Sequence, residues 1–456
     1  MRAARVANFI LGGAAAAALL FAARVLILLR ALHAHGAREP RLWAVAFLAA
    51  ALAALLLLAL RLSPPRRVNL ALSVAAVVAT LYAGEVVLFL RVPGPPRMIE
   101  KLARIDALRA QGRAVSPGVE PVRFSWIRSP HMPTSVQLDG RPVVPLANIS
   151  RRFTIDCREG RGDWMTFETD EHGFNNPPGL WSTPALDVAL VGDSFVHGHC
   201  VAPEVNLVAG VRARHPSTLG LGSAGAGPLV MLAALREYLP ALRPRTVVWC
   251  YFSGNDLLDL RRERDHPLLS AYLEAGHTQG LAARQPALDR ALDAYVEASL
   301  LPELRRRTRP FFEPGGMLTL RALRSRAGLA LADPYVLTPS EEELQLFARV
   351  LREAQATVQG WGGRLVFAYL PEWPIRARQL GEGEYVKAKR EAAARVRALV
   401  KDLGLPLADV EAAFRKDPHP ELLYACPGCH YSPEGYALAA RAVLETLDDG
   451  GLGAGH

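Results

Sequence analysis

Residues 188–195 read Val-Ala-Leu-Val-Gly-Asp-Ser-Phe, so four apolar residues run directly into a Gly-Asp-Ser turn. A continuous apolar run that stops at a glycine is typical of a buried parallel strand that ends in a tight turn. Ligands of an open α/β sheet bind at the carboxyl ends of its strands. We therefore expect Ser194 to lie at the mouth of a crevice, where a nucleophile is useful.

Strand–helix alternation continues from this segment towards the C-terminus and predicts a parallel sheet. Helical segments between the strands include 229–239 and the segment after Thr338-Pro339-Ser340-Glu341, which has capping-box spacing with Pro at the first helical position. The five candidate strands are 188–191, 217–221, 246–252, 364–370 and 405–410.

Three apolar segments come first in the chain, at 6–29, 42–60 and 68–90. Each has the roughly 20 residues that a helix needs to cross a bilayer core of about 30 Å. The first is too long for the apolar region of a signal peptide, and two more follow it. We therefore expect a membrane domain of three transmembrane helices. The positive-inside rule does not choose its orientation, but three spans place the two ends of the chain on opposite sides.

These patterns divide the chain into four parts. Residues 1–95 form the membrane domain, and 96–185 form a linker and a lead-in segment of short strands and turns. Residues 186–446 form the α/β domain. A charged, Arg-rich helical insertion at about 260–335 interrupts its alternation and could cap the site. Residues 447–456 form a Gly-rich flexible tail.

The net charge of +9 comes from an excess of arginine. Scattered Arg beside apolar helices favours contact with a lipid bilayer. Nucleic-acid binding is not expected, because the chain has no Lys/Arg-rich run and no zinc-finger spacing. Among the five cysteines, Cys426 and Cys429 form a C-x-x-C motif without a thioredoxin-like context or a second half of a zinc site. A local disulfide and two free thiols both remain open.

Four short motifs carry residue types that suit nucleophilic catalysis. Ser194 needs a base, and His430, just before an Ala/Leu-rich C-terminal helix, is the candidate. A tetrahedral intermediate needs hydrogen-bond donors directed at its oxygen. The backbone N–H groups of Ser194 and Gly225 and the side-chain amide of Asn255 follow three strand ends and could supply them.

Other polar residues near these motifs have structural interpretations. We expect Asp193 to accept backbone hydrogen bonds in its turn and Asp256 to cap the next helix. His197 and His199 follow the serine closely. Either could line the pocket, although a structural role is the simpler prediction for both. Asp193, Asp256 and His199 are therefore candidates for supporting roles only.

The order of these motifs resembles the SGNH (GDSL-type) hydrolase superfamily. The family's motif blocks match Ser194, Gly225, Asn255 and His430, and Asp170-Glu171-His172-Gly173-Phe174-Asn175 resembles the lead-in of membrane-anchored bacterial members. The resemblance implies a flavodoxin-like three-layer α/β/α fold with a parallel five-stranded sheet. It also implies cleavage or transfer of an ester-linked acyl group, without a metal or an organic cofactor.

The chain departs from the family at the third member of the triad. The family places an Asp two or three residues before the catalytic His, and here those positions are Gly428 and Pro427. Backbone carbonyls could complete a Ser–His dyad, or Asp417 or Glu421 could take the role of the orienting carboxylate. A Cys426–Cys429 bridge could instead hold the loop of His430.

The function expected from these observations is that of a membrane-anchored serine esterase, acyl hydrolase or O-acyltransferase. Its substrates would be acylated glycans or lipids of the cell envelope. Its catalytic domain would lie on the periplasmic or extracellular side of the inner (cytoplasmic) membrane. The alternative is a non-catalytic polysaccharide-binding or assembly protein on a degenerate SGNH fold, since a fold alone does not establish activity.

Overall fold

The structure is a computed structural model that describes residues 2–34, 40–91, 96–125, 132–158, 164–308, 317, 320, 323–324, 339–372, 382–426 and 428–449. Most of the predicted insertion after residue 308, Pro427 and tail residues 450–456 lie outside the described residues. The chain divides into two compact units. The N-terminal unit comprises 1–96, 307–338 and 376–390, and the α/β unit comprises 97–306, 339–375 and 391–456.

The N-terminal unit contains the helices α1 (Arg2–Ala34), α2 (Pro40–Ala59) and α3 (Pro64–Arg91). Small residues such as Ala7 and Ala15 of α1 are buried where the helices meet. Many large side chains point outward, and Phe9 and Phe47 are 83% and 74% exposed. Small residues at helix contacts and apolar side chains outside are typical of helices in lipid.

Two of the three helices contain candidate membrane spans by length and composition. These are Arg2–Ile27 with 26 residues and Pro64–Leu88 with 25 residues. The apolar part of α2, Trp43–Ala59, is shorter. Two of the three predicted spans are therefore candidate membrane helices, and the middle span stays a prediction. Glu85, a charge within the third segment, is buried and accepts a hydrogen bond from the Leu323 N–H at 2.8 Å.

The α/β unit begins with α4, most of which belongs to it, and its strands and helices alternate from β6 onward. The strands are β1 (Val115–Pro117), β2 (Val136–Leu138), β3 (Arg141–Val143), β4 (Phe153–Ile155), β5 (Thr166–Glu168), β6 (Val188–Gly192), β7 (Thr218–Gly222), β8 (Thr246–Phe252), β9 (Arg364–Leu370) and β10 (Leu407–Asp409). The helices are α4 (Pro96–Ala110), α5 (Val122–Ser125), α6 (Ser194–His197), α7 (Leu207–Arg212), α8 (Pro228–Tyr238), α9 (Asp256–Glu263), α10 (Pro267–Ser270), α11 (Gln285–Tyr295), α12 (Leu301–Arg307), α13 (Glu341–Gln359), α14 (Glu382–Asp402, which begins in the N-terminal unit), α15 (Val410–Lys416) and α16 (Pro433–Asp449).

The main sheet has five parallel strands in the order β10-β9-β8-β6-β7. Counted along the chain from β6, the spatial order is 2-1-3-4-5, which is the flavodoxin-like order. The predicted five-stranded parallel sheet is confirmed. Strand β6 pairs with β7 on one side and β8 on the other, so the chain reverses its direction of winding at the end of β6. Ligands of doubly wound sheets bind at such a reversal.

Alternate residues of the strands enter two separate cores, because successive side chains of a strand point to opposite faces. Ala189 and Val191 of β6 belong to a core with α8, α13 and the C-terminal part of α14. Val188 and Leu190 belong to a core with α7, α15 and α16. Helices therefore cover both faces of the sheet and complete the predicted three layers.

Helix α13 begins two residues later than predicted. Ser340, and not Thr338, is the N-cap, and Ser340 and Glu343 form the capping box. Within the predicted insertion, α11 and α12 contribute buried leucines such as Leu292 and Leu304 to the same core as α8. The described part of the insertion is thus part of the packed unit.

The lead-in segment is fixed to the sheet through polar contacts. Its strand β4 pairs in parallel with β1 and in antiparallel fashion with β5. The buried carboxylate of Asp170 accepts the N–H groups of His172 and Phe174 and the side-chain amide of Asn176. The Asn176 side-chain oxygen accepts the N–H of Gly220 in β7.

Gly222, at the carboxyl end of β7, leaves no room for a side chain. A Cβ there would lie 2.1 Å from the backbone nitrogen of His197 in α6. Because backbone atoms cannot move aside, we expect Gly222→Ala to lower the free energy of unfolding by about 3 kcal/mol or more. Denaturant titration of the full chain in detergent, followed by tryptophan fluorescence, measures this change.

Gly220→Ala is the matched control, two residues earlier on the same strand. Its Cβ would meet only the side chain of Val208, at 2.7 Å, which can rotate. We expect a cost of about 1–2 kcal/mol. Equal losses from the two substitutions would contradict the view that β7 and the backbone of α6 are in direct contact.

Candidate active site

Ser194 is the first residue of α6, immediately after the central strand β6. Asp193 is the N-cap of this helix, and its Oδ1 accepts the N–H of Phe195 at 2.9 Å. Asp193 thus accepts a backbone hydrogen bond, as predicted. The N–H of Ser194 has no partner within the helix, because the first N–H groups of a helix have no preceding carbonyl.

His430 lies in the loop before α16, and its Nε2 is 2.9 Å from the Oγ of Ser194. The hydroxyls of Tyr424 and Tyr431, on either side of this loop, both donate to the carbonyl of Pro371 after β9, at 3.0 and 2.9 Å. The ring of Phe195 packs against His430 with centroids 4.8 Å apart. The loop is therefore anchored to the end of the neighbouring strand.

Gly225 and Asn255 follow the carboxyl ends of β7 and β8, which flank β6. Gly225 has φ of +70°, and a Cβ there would lie 2.7 Å from Val122. Its N–H donates to no residue in the described part of the chain. The Asn255 amide donates one N–H to the Asp259 carboxylate. Since a primary amide has two N–H groups, the second is available to a ligand.

Helix α9 carries three buried acids, which are Asp256, Asp259 and Glu263. Asp256 does not cap α9 as predicted. Its Oδ2 instead accepts the N–H of Phe252 at the end of β8, at 3.0 Å. Glu263 accepts the N–H groups of Gly227 and Leu229 at 2.6 and 2.9 Å, and so holds the first turn of α8. This contact fixes the position of the loop that contains Gly225.

Burial raises the pKa values of these acids, because the charged form loses its hydration. The pKa of Asp193 is raised to about 7 and that of Asp259 to about 6. Burial and the charge of Asp259 raise the pKa of Glu263 to about 8. The pKa of Asp256 is also raised, by burial and by the charge of Asp193.

The cysteines form two disulfides, between Cys157 and Cys200 and between Cys426 and Cys429. Cys250 is free and buried in β8. The sequence left open whether Cys426 and Cys429 form a disulfide or stay free thiols. The structure has the disulfide, which closes the turn directly before His430. The sequence indicated no partner for Cys157 or Cys200.

Sequence reasoning missed Asp156 as a residue near the site. Its Oδ2 lies 2.9 Å from His197 Nε2 and 3.1 Å from His199 Nδ1. The ring of His199 lies 5.0 Å from that of His430, measured between centroids. In the sequence, the Asp-Cys pair at 156–157 and the His-x-His-Cys segment at 197–200 are signals of such a cluster.

These same groups have the residue types of metal ligands. The donor atoms of Asp156, His197 and His199 lie within 4.8 Å of one another, as do those of His199, Cys157 and Cys200. The two thiols are joined to each other, and the carboxylate of the first group is hydrogen-bonded to both histidines. Within the described residues, Asp156 Oδ1 and His197 Nδ1 are buried and have no hydrogen-bond partner.

The two carboxylates proposed as substitutes in the triad both interact with His419. Asp417 accepts the His419 N–H at 2.9 Å, and the Glu421 carboxylate lies 3.5 Å from its Nδ1. Asp409, at the end of β10, pairs with Arg397 at 2.9 Å.

A cavity of about 740 Å³ opens beside the Cys157–Cys200 bridge. Its lining includes Phe167, Cys200, Val201 and Arg212. Ser194, Gly225, Asn255 and His430 are not among them. The cavity therefore adjoins the segment after His199 and does not contain the serine.

Comparison with known proteins gives one family match. The model of the GDSL-like lipase/acylhydrolase family matches residues 190–438. No curated protein sequence matches the chain.

Solved structures show only distant similarity. A lipase/acylhydrolase from Enterococcus faecalis has 14% identity and a TM-score of 0.33, covering 58% of this chain and 95% of its own. An acetyl xylan esterase has 12% identity and a TM-score of 0.31, covering 57% and 99%. An α/β hydrolase from the metagenome of Lake Arreo, Spain, has 13% identity and a TM-score of 0.32, covering 59% and 98%.

The raised pKa of Glu263 predicts how stability depends on pH. The folded chain keeps a proton on Glu263 up to about pH 8, whereas the unfolded chain releases it near the ordinary value of 4.5. The free energy of unfolding therefore falls as pH rises between these values. We expect Glu263→Gln to flatten this fall, measured as the thermal midpoint of the full chain in detergent at pH 5 to 8.

Glu342→Gln serves as the control, because Glu342 is exposed and pairs with Arg264 on the surface. Its curve should run parallel to that of the wild type. A Glu263→Gln curve that also runs parallel would show that Glu263 is ionised in the folded chain.

Proposed function

Because the chain belongs to the GDSL-like lipase/acylhydrolase family, we propose that it is a membrane-anchored serine esterase or O-acyltransferase with Ser194 as nucleophile and His430 as base. One observation carries the proposal. The His430 Nε2 lies 2.9 Å from the Ser194 Oγ, although the two residues are 236 positions apart in the chain. A serine hydroxyl becomes nucleophilic when an imidazole accepts its proton at this distance.

The reaction begins when the Ser194 Oγ attacks the carbonyl carbon of an ester and its proton passes to His430 Nε2. The carbonyl oxygen becomes an oxyanion. The N–H groups of Ser194 and Gly225 and the second amide N–H of Asn255 are the donors we assign to it. His430 then gives its proton to the leaving alcohol oxygen as the ester C–O bond breaks, which leaves the acyl group on Ser194.

A second nucleophile completes the cycle. His430 removes a proton from water or from an acceptor hydroxyl, which attacks the acyl carbon, and the proton then returns to the Ser194 Oγ. Water gives ester hydrolysis, and a glycan or lipid hydroxyl gives acyl transfer. The two outcomes use the same residues and differ in how well the site excludes water.

The N-terminal unit supports a multi-pass anchor in the inner membrane. Outward-facing apolar side chains on α1, α2 and α3 would lie in contact with lipid. With three spans and an internal N-terminus, the α/β unit lies on the periplasmic or extracellular side. The Cys157–Cys200 and Cys426–Cys429 bridges favour that side, since disulfides persist in oxidising compartments. Acylated envelope glycans or lipids are the substrates present there.

Loss of either Ser194 or His430 should abolish turnover. We expect Ser194→Ala and His430→Ala to lower kcat for p-nitrophenyl acetate by on the order of 10³-fold or more, because each removes an essential step of acyl transfer. A fluorophosphonate probe should label the wild type on Ser194 and leave Ser194→Ala unlabelled. Hydrolysis is followed by absorbance and labelling by intact mass.

Ser217→Ala is the matched control. Ser217 lies at the amino ends of the strands, where its hydroxyl bonds Asp187, and the variant should keep full activity. If all three variants and the wild type hydrolyse several esters equally slowly, the enzyme proposal is wrong. The non-catalytic glycan-binding alternative would then stand.

Membrane topology gives a separate prediction. Alkaline phosphatase fused after residue 449 should be active, because the enzyme folds only after export. The same fusion after residue 63, between α2 and α3, should be inactive. The reverse pattern of activity would place the α/β unit on the cytoplasmic side.

A further inference from the structure

We propose that Asp156 and His199 are positioning residues for His430. The Asp156 carboxylate holds the His199 ring, and that ring in turn fixes the orientation of His430, which has no carboxylate in the loop before it. The inference rests on the proposed function, because it concerns the base assigned there. It identifies a replacement for the carboxylate that is missing at positions 427 and 428.

The hydrogen bonds define the orientation of His199. A carboxylate can only accept, so the His199 Nδ1 that lies 3.1 Å from Asp156 Oδ2 must carry the proton. The same geometry, with a carboxylate on Nδ1, orients the base in a Ser-His-Asp triad. Here the oriented ring is His199, and it packs against His430 with centroids 5.0 Å apart. Phe195 contacts His430 as well, so the base lies against both rings.

The charge on Asp156 is maintained although the residue is only 5% exposed. Burial by itself would raise its pKa, but the charge of His199 and the hydrogen bonds from His197 and His199 lower the pKa well below its ordinary value. The carboxylate is therefore kept as the acceptor that fixes the Nδ1–H tautomer of His199 and the position of its ring against His430.

A covalent link holds the two positioning residues together. Asp156 directly precedes Cys157, His199 directly precedes Cys200, and the two cysteines are bridged with Cα atoms 5.2 Å apart. The backbone of the histidine segment is also held by Asn175, whose side chain donates to the His197 carbonyl at 2.9 Å. The pair is thus fixed to the loop that follows Ser194, independently of the loop that carries His430.

Steady-state kinetics of the full chain in detergent tests the role. We expect Asp156→Asn and His199→Gln each to lower kcat by about 10- to 100-fold with KM changed by less than about 3-fold. This is smaller than the loss of about 10⁴-fold from removing a directly bonded orienting carboxylate. The double variant should be no slower than the slower single variant, because the two residues act in series.

His197→Gln is the matched control, since His197 also bonds Asp156 but its ring packs against Phe167. Its kcat should fall several-fold less than that of His199→Gln, at a similar loss of thermal stability. Equal losses of kcat from the two histidine variants would make the cluster structural and overturn the proposal. So would a stoichiometric divalent metal in the purified protein that is lost in Asp156→Asn.

Crystal structures separate this proposal from the proposed function. In the wild type, His430 Nε2 should lie within hydrogen-bond distance of Ser194 Oγ. In His199→Gln, the imidazole should turn away or adopt two orientations. An unchanged ring in the variant overturns the positioning role even if the wild type hydrolyses no ester. A displaced ring supports the role whether or not turnover is detected.

Discussion

The parallel pairing of β6 with both β7 and β8 is the constraint on which the site depends. Because the three strands run in the same direction, the residues that follow them emerge at one edge of the sheet. Ser194, Gly225 and Asn255 each follow the carboxyl end of a different strand. The winding reverses at β6, and ligands of doubly wound sheets bind at such a reversal.

The edge is costly to build because it places acids out of contact with water. Asp193, Asp256, Asp259 and Glu263 are all buried near it. Their hydrogen bonds show what the burial achieves. Glu263 fixes the start of α8 and with it the loop of Gly225, while Asp256 holds the end of β8. The groups that we propose as oxyanion donors are thus held in place by hydrogen bonds from neighbouring backbone and side chains to these carboxyl groups.

Prediction from the sequence identified strands and turns well and the hydrogen-bond partners of individual side chains less well. The apolar run 188–191 identified β6, and the Gly-Asp-Ser turn placed Ser194 after it, because strand burial and turn chemistry act between near neighbours. Asp256 was assigned to the helix that it begins, but it bonds backwards to Phe252. Asp156 was overlooked, because its histidine partners lie 41 and 43 residues away.

The sequence by itself predicted the strands of the main sheet, the apolar helices and the candidate serine and histidine, since hydrophobic period and motif order are properties of the linear chain. Only the tertiary structure decided that His430 reaches Ser194, that Cys157 pairs with Cys200, and that a carboxylate from the lead-in segment lies behind His199. The physical reason is that a hydrogen bond or a disulfide depends on a distance of a few ångströms in space. Which distant loops come that close is determined by the order and twist of the strands that carry them.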